Sequence, residues 1–355
     1  MQFSMLMEMQ TSPPTRERER KVFRDSVEQT VLADQLGYDR IWVVEHHGLT
    51  EYSHSSAPET FLAYIAALTK NIRLGHGVSV TPKPYNHPIR IAERVATLDI
   101  LSGGRVDWGS GKSGTRVEQE AFQVNKQLLL EEWEEALEMI PQMWQKEIFE
   151  WSGKHYKVPP TNIVPKPVQA PHPPIFAACS AVAAIIKAAE MGVGVLNFAQ
   201  GNDAFLKKKV SAYKEIVAKA EPKNYQKNNH FAITPSVLVL DDDQKACEYG
   251  FQGSRFFGQC LARYYFEDAR PVGGIDVQRE PLTPEELKIA KNSRSKEAPL
   301  LAVIGDPMAA REAIARLQSA GVDEVVLVMQ LGNIPSEIVM ESVKTFGEKV
   351  IPYFK

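Results

Sequence analysis

The residues best suited to proton chemistry form the triplet Glu45-His46-His47, which directly follows the short run 40–44. Histidine can give or take a proton near neutral pH, because its unperturbed pKa is about 6.5. The run predicts a buried β-strand, and in sheet-and-helix folds ligands gather beyond the carboxyl ends of parallel strands. The triplet therefore predicts an active-site position, and a pair of surface or capping histidines is the alternative.

Glycines mark the end of another predicted strand. Gly75 and Gly77 flank His76 within the run 72–80. Glycines inside a strand indicate the close approach of a ligand or a sharp change in the backbone. This strand end is therefore a second candidate region for a site.

Two further strand ends suit an anion. The run 109–114 contains Lys112 among glycines, so backbone N–H groups and a positive charge could face the same ligand. It is not the phosphate loop of nucleotide triphosphatases, because Val106 stands where that motif has its first glycine. Ser180 suits the N-cap of a helix that starts after Ala178, and an ordinary capping role is compatible with anion binding there. Together the two strand ends predict a ligand that carries a phosphate.

Length and charge exclude several classes of protein. The chain has 355 residues and a net charge of -3, from 41 basic and 44 acidic residues. This balance offers no electrostatic basis for binding nucleic acid or a membrane surface. The three cysteines are too few for a disulfide framework, no apolar run is long enough to span a membrane, and the first residues do not resemble a signal peptide. A soluble cytoplasmic protein is therefore expected.

Strands and helices alternate along the chain and predict a (β/α)8 TIM barrel. The expected strands are 2–6, 40–44, 72–80, 105–109, 174–178, 193–198, 233–240 and 324–329. The expected helices are 22–36, 58–69, 88–101, 128–144, 181–190, 204–219, 243–264, 307–320 and 335–353. An open doubly wound sheet is the alternative, but it usually has a glycine-rich turn after its first strand, and residues 8–12 contain no glycine.

Two insertions interrupt this alternation within a single domain, residues 1–355. The proline-rich residues 148–173, after the fourth strand, predict a hairpin-like excursion. Residues 268–298, after the seventh strand, contain Gly273-Gly274 and little apolar pattern. Long loops in compact domains are usually functional or disordered, so this segment is expected to be either a mobile lid over the barrel mouth or a surface insertion without a role.

Several segments taken together resemble the bacterial luciferase-like, flavin-dependent monooxygenases along nearly the whole chain. They are residues 42–47, 75–82, 87–88, 93–105, 107–112, 173–180 and 321–324. The resemblance implies a (β/α)8 barrel that holds reduced FMN at the carboxyl ends of its strands. In such enzymes O2 adds to the flavin to give a C4a-peroxyflavin, which oxidises a small organic substrate. His46 matches the family's catalytic histidine, and an imidazole can relay the proton that this chemistry requires.

Six residues match positions that bind the flavin in the family: Gly77, Val78, Gly111, Lys112, Cys179 and Ser180. The resemblance implies a non-proline cis peptide between Gly77 and Val78, beside the flavin ring. It places Lys112 where an arginine contacts the flavin phosphate and Ser180 where a serine does. Lysine keeps the charge of arginine but loses its bidentate fork. Gly111 replaces a reactive cysteine and Cys179 an acidic residue, so the resemblance does not extend to light emission.

Other residues are expected around the substrate, although each is equally compatible with a structural role. Glu45, His47, His76 and Trp108 are candidates to line or support the site, and Tyr52, Phe198 and Tyr265 could shape an apolar pocket. The family also implies two kinds of protein partner. A separate flavin reductase is expected to supply the reduced FMN, because no segment resembles a nicotinamide reductase. A homodimer is expected to form through the helices after the second and third strands.

Three other functions stay open at this point. A relative that transfers hydride with a deazaflavin would use the same barrel mouth without O2, and a non-catalytic barrel would only bind flavin. A metal hydrolase barrel would need a His-x-His after the first strand and an aspartate after the last. Met9-Gln10-Thr11 and Gln330-Leu331-Gly332 occupy those places, so no metal ligand is assigned.

Overall fold

In the computed structural model, eight parallel strands close into a barrel surrounded by helices. The structure describes residues 1–267, 270–271, 273–295 and 298–355. The strands are β1 (Gln2–Met7), β2 (Arg40–Val43), β3 (Arg73–Val80), β4 (Val106–Gly111), β5 (Phe149–Ser152), β6 (Lys157–Thr161), β7 (Ile175–Ala178), β8 (Gly194–Phe198), β9 (Phe231–Thr234), β10 (Ser236–Val239), β11 (Ala302–Gly305) and β12 (Glu324–Leu327). The helices are α1 (Arg16–Gln35), α2 (Pro58–Leu68), α3 (Pro88–Ser102), α4 (Arg116–Ala121), α5 (Leu129–Gln145), α6 (Val182–Met191), α7 (Asp203–Lys219), α8 (Asp243–Leu261), α9 (Pro284–Asn292), α10 (Pro307–Ser319) and α11 (Ser336–Lys349), with a π-helical turn at Ala262–Phe266 and a 3-10 turn at Ile351–Tyr353.

The order of strands around the barrel confirms the predicted (β/α)8 fold. Hydrogen bonding runs β1-β12-β9-β8-β7-β4-β3-β2 and back to β1. Each predicted strand contains or overlaps one of these eight, and α1 and α11 pack together near the point where the chain ends meet. The first predicted insertion is confirmed as a hairpin, because β5 and β6 pair antiparallel outside the barrel.

The seventh predicted strand, residues 233–240, was wrong as a single element. It divides at Pro235: β9 closes the barrel, whereas β10 pairs outside it with β11, a strand that the sequence pattern did not predict. Proline cannot donate a ladder hydrogen bond and fixes its own φ, so one continuous central strand is disfavoured there. The pattern also did not predict the short helices α4 and α9.

The amino end of the barrel interior is filled by a buried ion network. Arg40 Nε is 2.6 Å from Asp107 Oδ2, and its guanidinium also contacts Glu324. Trp42 Nε1 donates to Glu324 Oε1 at 2.9 Å. Arg40 and Glu324 are the first residues of β2 and β12, and Asp107 is the second residue of β4. The network therefore braces the face of the barrel opposite to the strand carboxyl ends. In barrels of this type, the amino-terminal face serves stability and the carboxyl-terminal face carries the chemistry.

Within the described part of the chain, none of the helices combines the length and the apolar character needed to cross a membrane.

Candidate functional site

His46 lies just beyond β2, at the carboxyl ends of the barrel strands, and one of its ring nitrogens contacts a carboxylate. His46 Nδ1 is 3.0 Å from Glu118 Oε1. Glu118 lies in the first turn of α4 and is 1% exposed. It also accepts hydrogen bonds from the His47 N–H at 3.0 Å and from the Thr115 hydroxyl at 2.6 Å. These donors hold the carboxylate in place, and the carboxylate in turn orients the His46 ring.

The other ring nitrogen of His46 faces a second acid. Nε2 is 4.0 Å from Glu8 Oε2 and 3.3 Å from the Tyr265 hydroxyl. Glu8 directly follows β1, is 1% exposed, and accepts a hydrogen bond from the Tyr52 hydroxyl at 2.9 Å through Oε1. Its Oε2 is buried and has no hydrogen-bond partner among the described residues. Buried polar atoms are normally satisfied, so this oxygen points to a proton or a ligand at the site.

The two acids have opposite pKa shifts. Burial raises the pKa of Glu8 to about 7, and the charge of His46 offsets this only in part. Burial also opposes ionisation of Glu118, but the charge of His46 and its hydrogen bond lower the pKa of Glu118 below its ordinary value. For His46, burial favours the neutral ring, yet the neighbouring carboxylates, Glu118 first among them, raise its pKa. The site therefore combines a fixed carboxylate, an imidazole and a carboxyl that titrates near neutral pH.

Glu45 and His47 connect two strand ends beside His46. Glu45 Oε1 is 3.3 Å from His47 Nε2 and accepts from the Asn86 side chain at 2.9 Å. Glu45 Oε2 accepts from the Val80 N–H at 2.8 Å. These contacts join the carboxyl ends of β2 and β3. The two predicted residues thus lie next to His46, where they brace the backbone that carries it.

The predicted anion-binding residues lie at the ends of the neighbouring strands β4 and β7. Lys112 is exposed, and its ammonium is near enough to Cys179 to act on the thiol. Burial raises the pKa of that thiol to about 12, and Lys112 opposes the rise. The Cys179 Sγ donates to the Ala184 carbonyl at 3.4 Å, so the thiol packs towards α6.

The predicted N-cap role of Ser180 was wrong. Helix α6 begins at Val182, and Ala181 is its N-cap, without a side-chain capping hydrogen bond. The Ser180 carbonyl instead accepts from the Gln200 side chain at 3.3 Å, which keeps Ser180 outside the helix. The side chain of Ala181 has no acceptor atom. The first backbone N–H groups of α6 therefore receive no capping hydrogen bond from it.

The peptide bond between Gly77 and Val78 is cis, as the resemblance implied. The register of β3 against β4 shifts between His76 and Ser79, and the Val78 side chain lies across two glycines of β4. A Cβ atom added at Gly111 would lie 2.5 Å from Val78 Cγ2, so a side chain at Gly111 would displace Val78.

The structure does not bring His76 and Trp108 to this group. Val43, His76 and Trp108 occupy paired positions of β2, β3 and β4, and paired positions of parallel strands share one face of the sheet. Val43 and Trp108 belong to the core between barrel and helices, where Trp108 packs edge-on against Trp144 with ring centroids 5.4 Å apart. Both predicted residues therefore face the surrounding helices. His76 is 2% exposed, and burial lowers its pKa to about 4.

Sequence reasoning missed the two acids that flank His46. Thr115-Arg116-Val117-Glu118 fits the capping-box pattern that marks the start of a helix, and this signal could have placed Glu118 beside a strand end. Glu8 carried no local signal beyond its place after the first strand. Tyr52 and Tyr265, predicted as possible pocket aromatics, do contact the site through Glu8 and His46.

Part of residues 268–298 packs against the barrel mouth. Ile275 and Val277 are buried in the apolar cluster that also contains Trp42. The Ile275 N–H donates to Glu51 Oε2 at 2.8 Å, and Arg279 Nε is 2.8 Å from Ser12 Oγ. Residues 268, 269, 272, 296 and 297 lie outside the described residues, and the role of the segment as a lid stays a prediction.

No group of three or more His, Cys, Asp or Glu residues that could hold a metal ion occurs in the described ranges of the chain.

A closed parallel barrel with a histidine between two acids at its strand ends defines a TIM barrel whose carboxyl-terminal face is built for proton chemistry. The chain belongs to the luciferase-like monooxygenase family, whose family model matches residues 1–324. Relatives in this family are named as monooxygenases, which supports an oxidoreductase.

Relatives support this assignment over long and short matches. The chain is 23% identical over 333 residues to the alkanal monooxygenase alpha chain of Photorhabdus luminescens, covering 91% of this chain and 89% of that protein. It is 32% identical over 186 residues to the oxygenase component of the flavin-dependent trigonelline monooxygenase of Acinetobacter baylyi, covering 50% of this chain and 49% of that protein. Among solved structures, monooxygenase RslO1 from Streptomyces bottropensis superposes with a TM-score of 0.83 at 25% identity, over 100% of both chains.

Two solved structures share the fold and differ in cofactor. The oxygenating constituent of 3,6-diketocamphane monooxygenase from Pseudomonas putida, in complex with FMN, has a TM-score of 0.76 at 19% identity, over 99% of this chain and 98% of that one. An F420-dependent secondary alcohol dehydrogenase has a TM-score of 0.72 at 18% identity, over 100% and 99% of the two chains.

Proposed function

We propose that this protein is the oxygenase of a two-component monooxygenase that uses reduced FMN and O2 to oxidise a small organic substrate. The observation that carries the proposal is the position of His46, held between Glu118 and Glu8 at the same barrel face as Lys112 and the start of α6. His46 and its two acids supply groups that can hold and move a proton. Lys112 and the start of α6, beside them, supply positive charge. A phosphorylated redox cofactor needs both.

The residues at the strand ends fit the phosphate of FMN. Lys112 supplies a positive charge, and the N-terminus of α6 offers backbone N–H groups that its N-cap side chain does not satisfy. Ser180 and Ala181 are exposed at this end of β7 and accessible to a ligand. The Gly77–Val78 peptide lies in β3, which pairs with β4, and there it would border the ring system. Reduced flavin, when bound, supplies the electrons that activate O2.

The chain's own residues would then manage protons and exclude water. His46 is suited to hold or move a proton at Nε2, because Nδ1 is committed to the carboxylate of Glu118. Glu8 titrates near neutral pH and can return or accept that proton through Oε2. Tyr265 and the apolar residues around Ile275 cover this side of the mouth, which keeps bulk water from the group.

The proposal includes a separate flavin reductase as a transient partner. Its support is the trigonelline relative, which is itself named as an oxygenase component. The alkanal and trigonelline enzymes act on chemically different substrates, so the substrate of this chain is proposed only as a small organic molecule.

The test measures O2 consumption with chemically reduced FMN, first without a reductase and then with a candidate substrate panel of aldehydes, sulfonates and aromatics. We expect the wild type to bind FMN and to couple O2 consumption to substrate oxidation. His46→Gln should bind FMN normally but lose roughly 10²–10⁴-fold in turnover. His155→Gln, in the β5–β6 turn, is the matched control and should retain full activity.

The outcomes separate the proposal from its alternatives. Substrate reduction or oxidation with coenzyme F420 in the absence of O2, and no reaction with reduced FMN, would establish the deazaflavin alternative. Tight FMN binding together with O2 consumption that His46→Gln does not change would indicate a non-catalytic flavin-binding barrel. Failure to bind FMN in either redox state would reject both the monooxygenase proposal and the flavin-binding barrel, and only the deazaflavin alternative would remain.

A further inference from the structure

The turn between β7 and α6 is held by two side-chain amides, one in β8 and one in the segment that follows it. Asn197 Nδ2 donates to the Cys179 carbonyl, and Gln200 Nε2 donates to the Ser180 carbonyl at 3.3 Å. The Cys179 N–H donates to the Leu196 carbonyl at 2.9 Å, which continues the strand pairing. Both carbonyls of the turn are therefore drawn towards β8.

This arrangement sets the direction of two N–H groups. In a trans peptide, the carbonyl of one residue and the N–H of the next point in opposite directions. Holding the Cys179 carbonyl towards β8 therefore turns the Ser180 N–H away from β8, and holding the Ser180 carbonyl does the same for the Ala181 N–H. Both residues are exposed, and neither N–H donates to an acceptor in the described residues.

A buried lysine determines which way the Asn197 amide faces. Lys209, on α7, is 5% exposed, and its Nζ is 2.6 Å from Asn197 Oδ1. An ammonium group can only donate hydrogen bonds, so the oxygen of the amide must face Lys209. The NH2 group must then face the Cys179 carbonyl. A neutral or apolar side chain at position 209 would leave this orientation undetermined.

Lys209 is a buried cation without a counter-ion in the described part of the chain, which is an unfavourable arrangement for a purely structural residue. Within the described ranges, no carboxylate lies within ion-pair distance of it, and its other close contact is the ring of Phe205, with Nζ 5.5 Å from the centroid. Burying an ammonium without a counter-ion is unfavourable. Burial accordingly lowers the pKa of Lys209 to about 8. An anion bound at the turn would provide the missing negative charge.

We propose that Lys209 is a positioning residue for the phosphate end of the flavin. Through Asn197 it holds the Cys179 carbonyl, and so keeps the Ser180 N–H turned away from β8 and free for a phosphate oxygen. This inference rests on the proposed function, since it needs a ligand with a phosphate at the end of β7. It gives α7 a part in the preference for a cofactor that carries a phosphate.

The test compares two ligands that differ only in the phosphate. Anaerobic calorimetry with reduced FMN and with reduced riboflavin yields the affinity ratio for the wild type, for Lys209→Met and for the control Lys208→Met. Lys208 is exposed on the same helix, so the control removes the same charge from α7. We expect Lys209→Met to weaken FMN binding roughly tenfold or more while riboflavin binding changes little, because a charge-assisted contact is lost only for the phosphate. Lys208→Met should match the wild type.

If Lys209→Met folds poorly, Asn197→Ala serves as the second variant. It should also lower the affinity for reduced FMN relative to reduced riboflavin. The double variant should lose no more than the single variants, because both act through one chain of contacts. A general packing defect would weaken both ligands equally, and that result would overturn the proposal, as would an unchanged ratio in Lys209→Met. A wild type that binds FMN no more tightly than riboflavin would instead show that the phosphate site itself is wrong.

Discussion

His46 lies between two carboxyl groups that receive different numbers of hydrogen-bond donors. Glu118 receives donors from His46, His47 and Thr115, which stabilise its ionised form. Glu8 receives one from Tyr52, and its other oxygen is buried without a hydrogen-bond partner among the described residues. Pairs of titratable groups with pKa values moved apart are typical of acid–base sites. Glu118 is therefore best understood as the fixed partner of the imidazole, and Glu8 as the group that exchanges a proton.

At the residue scale, Glu118→Gln should lower the pKa of His46. Burial alone favours the neutral ring, and Glu118 is the largest influence that raises the pKa of His46 above its ordinary value. Removing the carboxylate charge should therefore lower this pKa. Histidine NMR during a pH titration measures it directly and needs no substrate. An unchanged or higher His46 pKa in the variant would contradict this view of the pair.

The raised pKa of Glu8 has a consequence for stability. Its folded pKa of about 7 lies above the ordinary value of 4.5, so the folded state binds this proton more tightly than the unfolded state does. The stability that results is fully present below about pH 4.5 and is lost as pH rises through 7. Glu8→Gln removes this dependence, and the variant should gain up to about 3 kcal/mol relative to the wild type between pH 5 and 8.5.

Urea denaturation of both proteins across that pH range measures the difference. Glu215→Gln is the matched control, because Glu215 is an exposed residue of α7. Its stability difference from the wild type should stay constant with pH. His46 also contributes to the pH dependence of this difference, because Glu8 is one of the carboxylates that raise its pKa. If the difference in unfolding free energy between Glu8→Gln and the wild type does not change with pH, Glu8 ionises normally.

His46 was predictable because its neighbours in the sequence already place it at a strand end. Glu8 and Glu118 follow two different strands, β1 and β4, and they meet His46 only when the barrel closes. Which face of the sheet the His76 and Trp108 side chains point to depended on the strand register. A pattern of residue types does not fix that register to the exact residue. A shift of one residue moves a side chain to the opposite face of a sheet.

At the scale of elements, the apolar periodicity and the positions of glycine and proline predicted the barrel strands. The predictions were wrong where contacts between distant residues overrode the local pattern. Pro235 divided a continuous apolar run between two sheets. Ser180 had the residue type of an N-cap, but the Gln200 side chain, from the segment after β8, engages its carbonyl, and the helix begins at Val182. Such contacts come from residues far away in the chain, so a local reading cannot detect them.

Gly109, within β4, provides a test of how closely the strands approach there. A Cβ atom at this position would lie 2.2 Å from the His76 carbonyl oxygen and 2.9 Å from Val78 Cγ1. Backbone cannot move aside as a flexible side chain can, so Gly109→Ala should destabilise the fold by about 1–3 kcal/mol. Chemical denaturation measures this loss, and FMN binding should weaken with it because β4 carries Lys112.

Gly258, an exposed glycine inside α8, is the matched control. A Cβ atom there would meet nothing within 4 Å. Gly258→Ala should therefore stabilise the protein by about 0.5–1 kcal/mol, because alanine favours the helix and restricts the unfolded chain. Equal effects of the two substitutions would show that β3 and β4 do not approach as closely as the structure indicates.

At the scale of the whole molecule, the barrel separates stability from chemistry along its axis. The Arg40–Asp107–Glu324 network closes one end, and the His46 group occupies the other. The sides are covered by helices, but α2 and α3 leave large apolar side chains in solvent. Tyr64 is 59% exposed and Leu101 65% exposed, and Leu68 and Ile100 extend this surface. All four lie in the carboxyl-terminal halves of two helices that pack against each other.

Exposed apolar surface of this kind on adjacent helices is typical of a subunit interface. We predict that the protein forms a homodimer through α2 and α3, and that Tyr64→Glu and Leu101→Glu each raise the dimer dissociation constant at least roughly tenfold, because a buried charge replaces an apolar contact. Sedimentation velocity over a concentration series measures that constant. Met308→Glu is the control, because Met308 is also 65% exposed but lies on α10. It should leave the dimer intact. A monomeric wild type, or equal weakening by all three variants, would show that this face does not join the subunits.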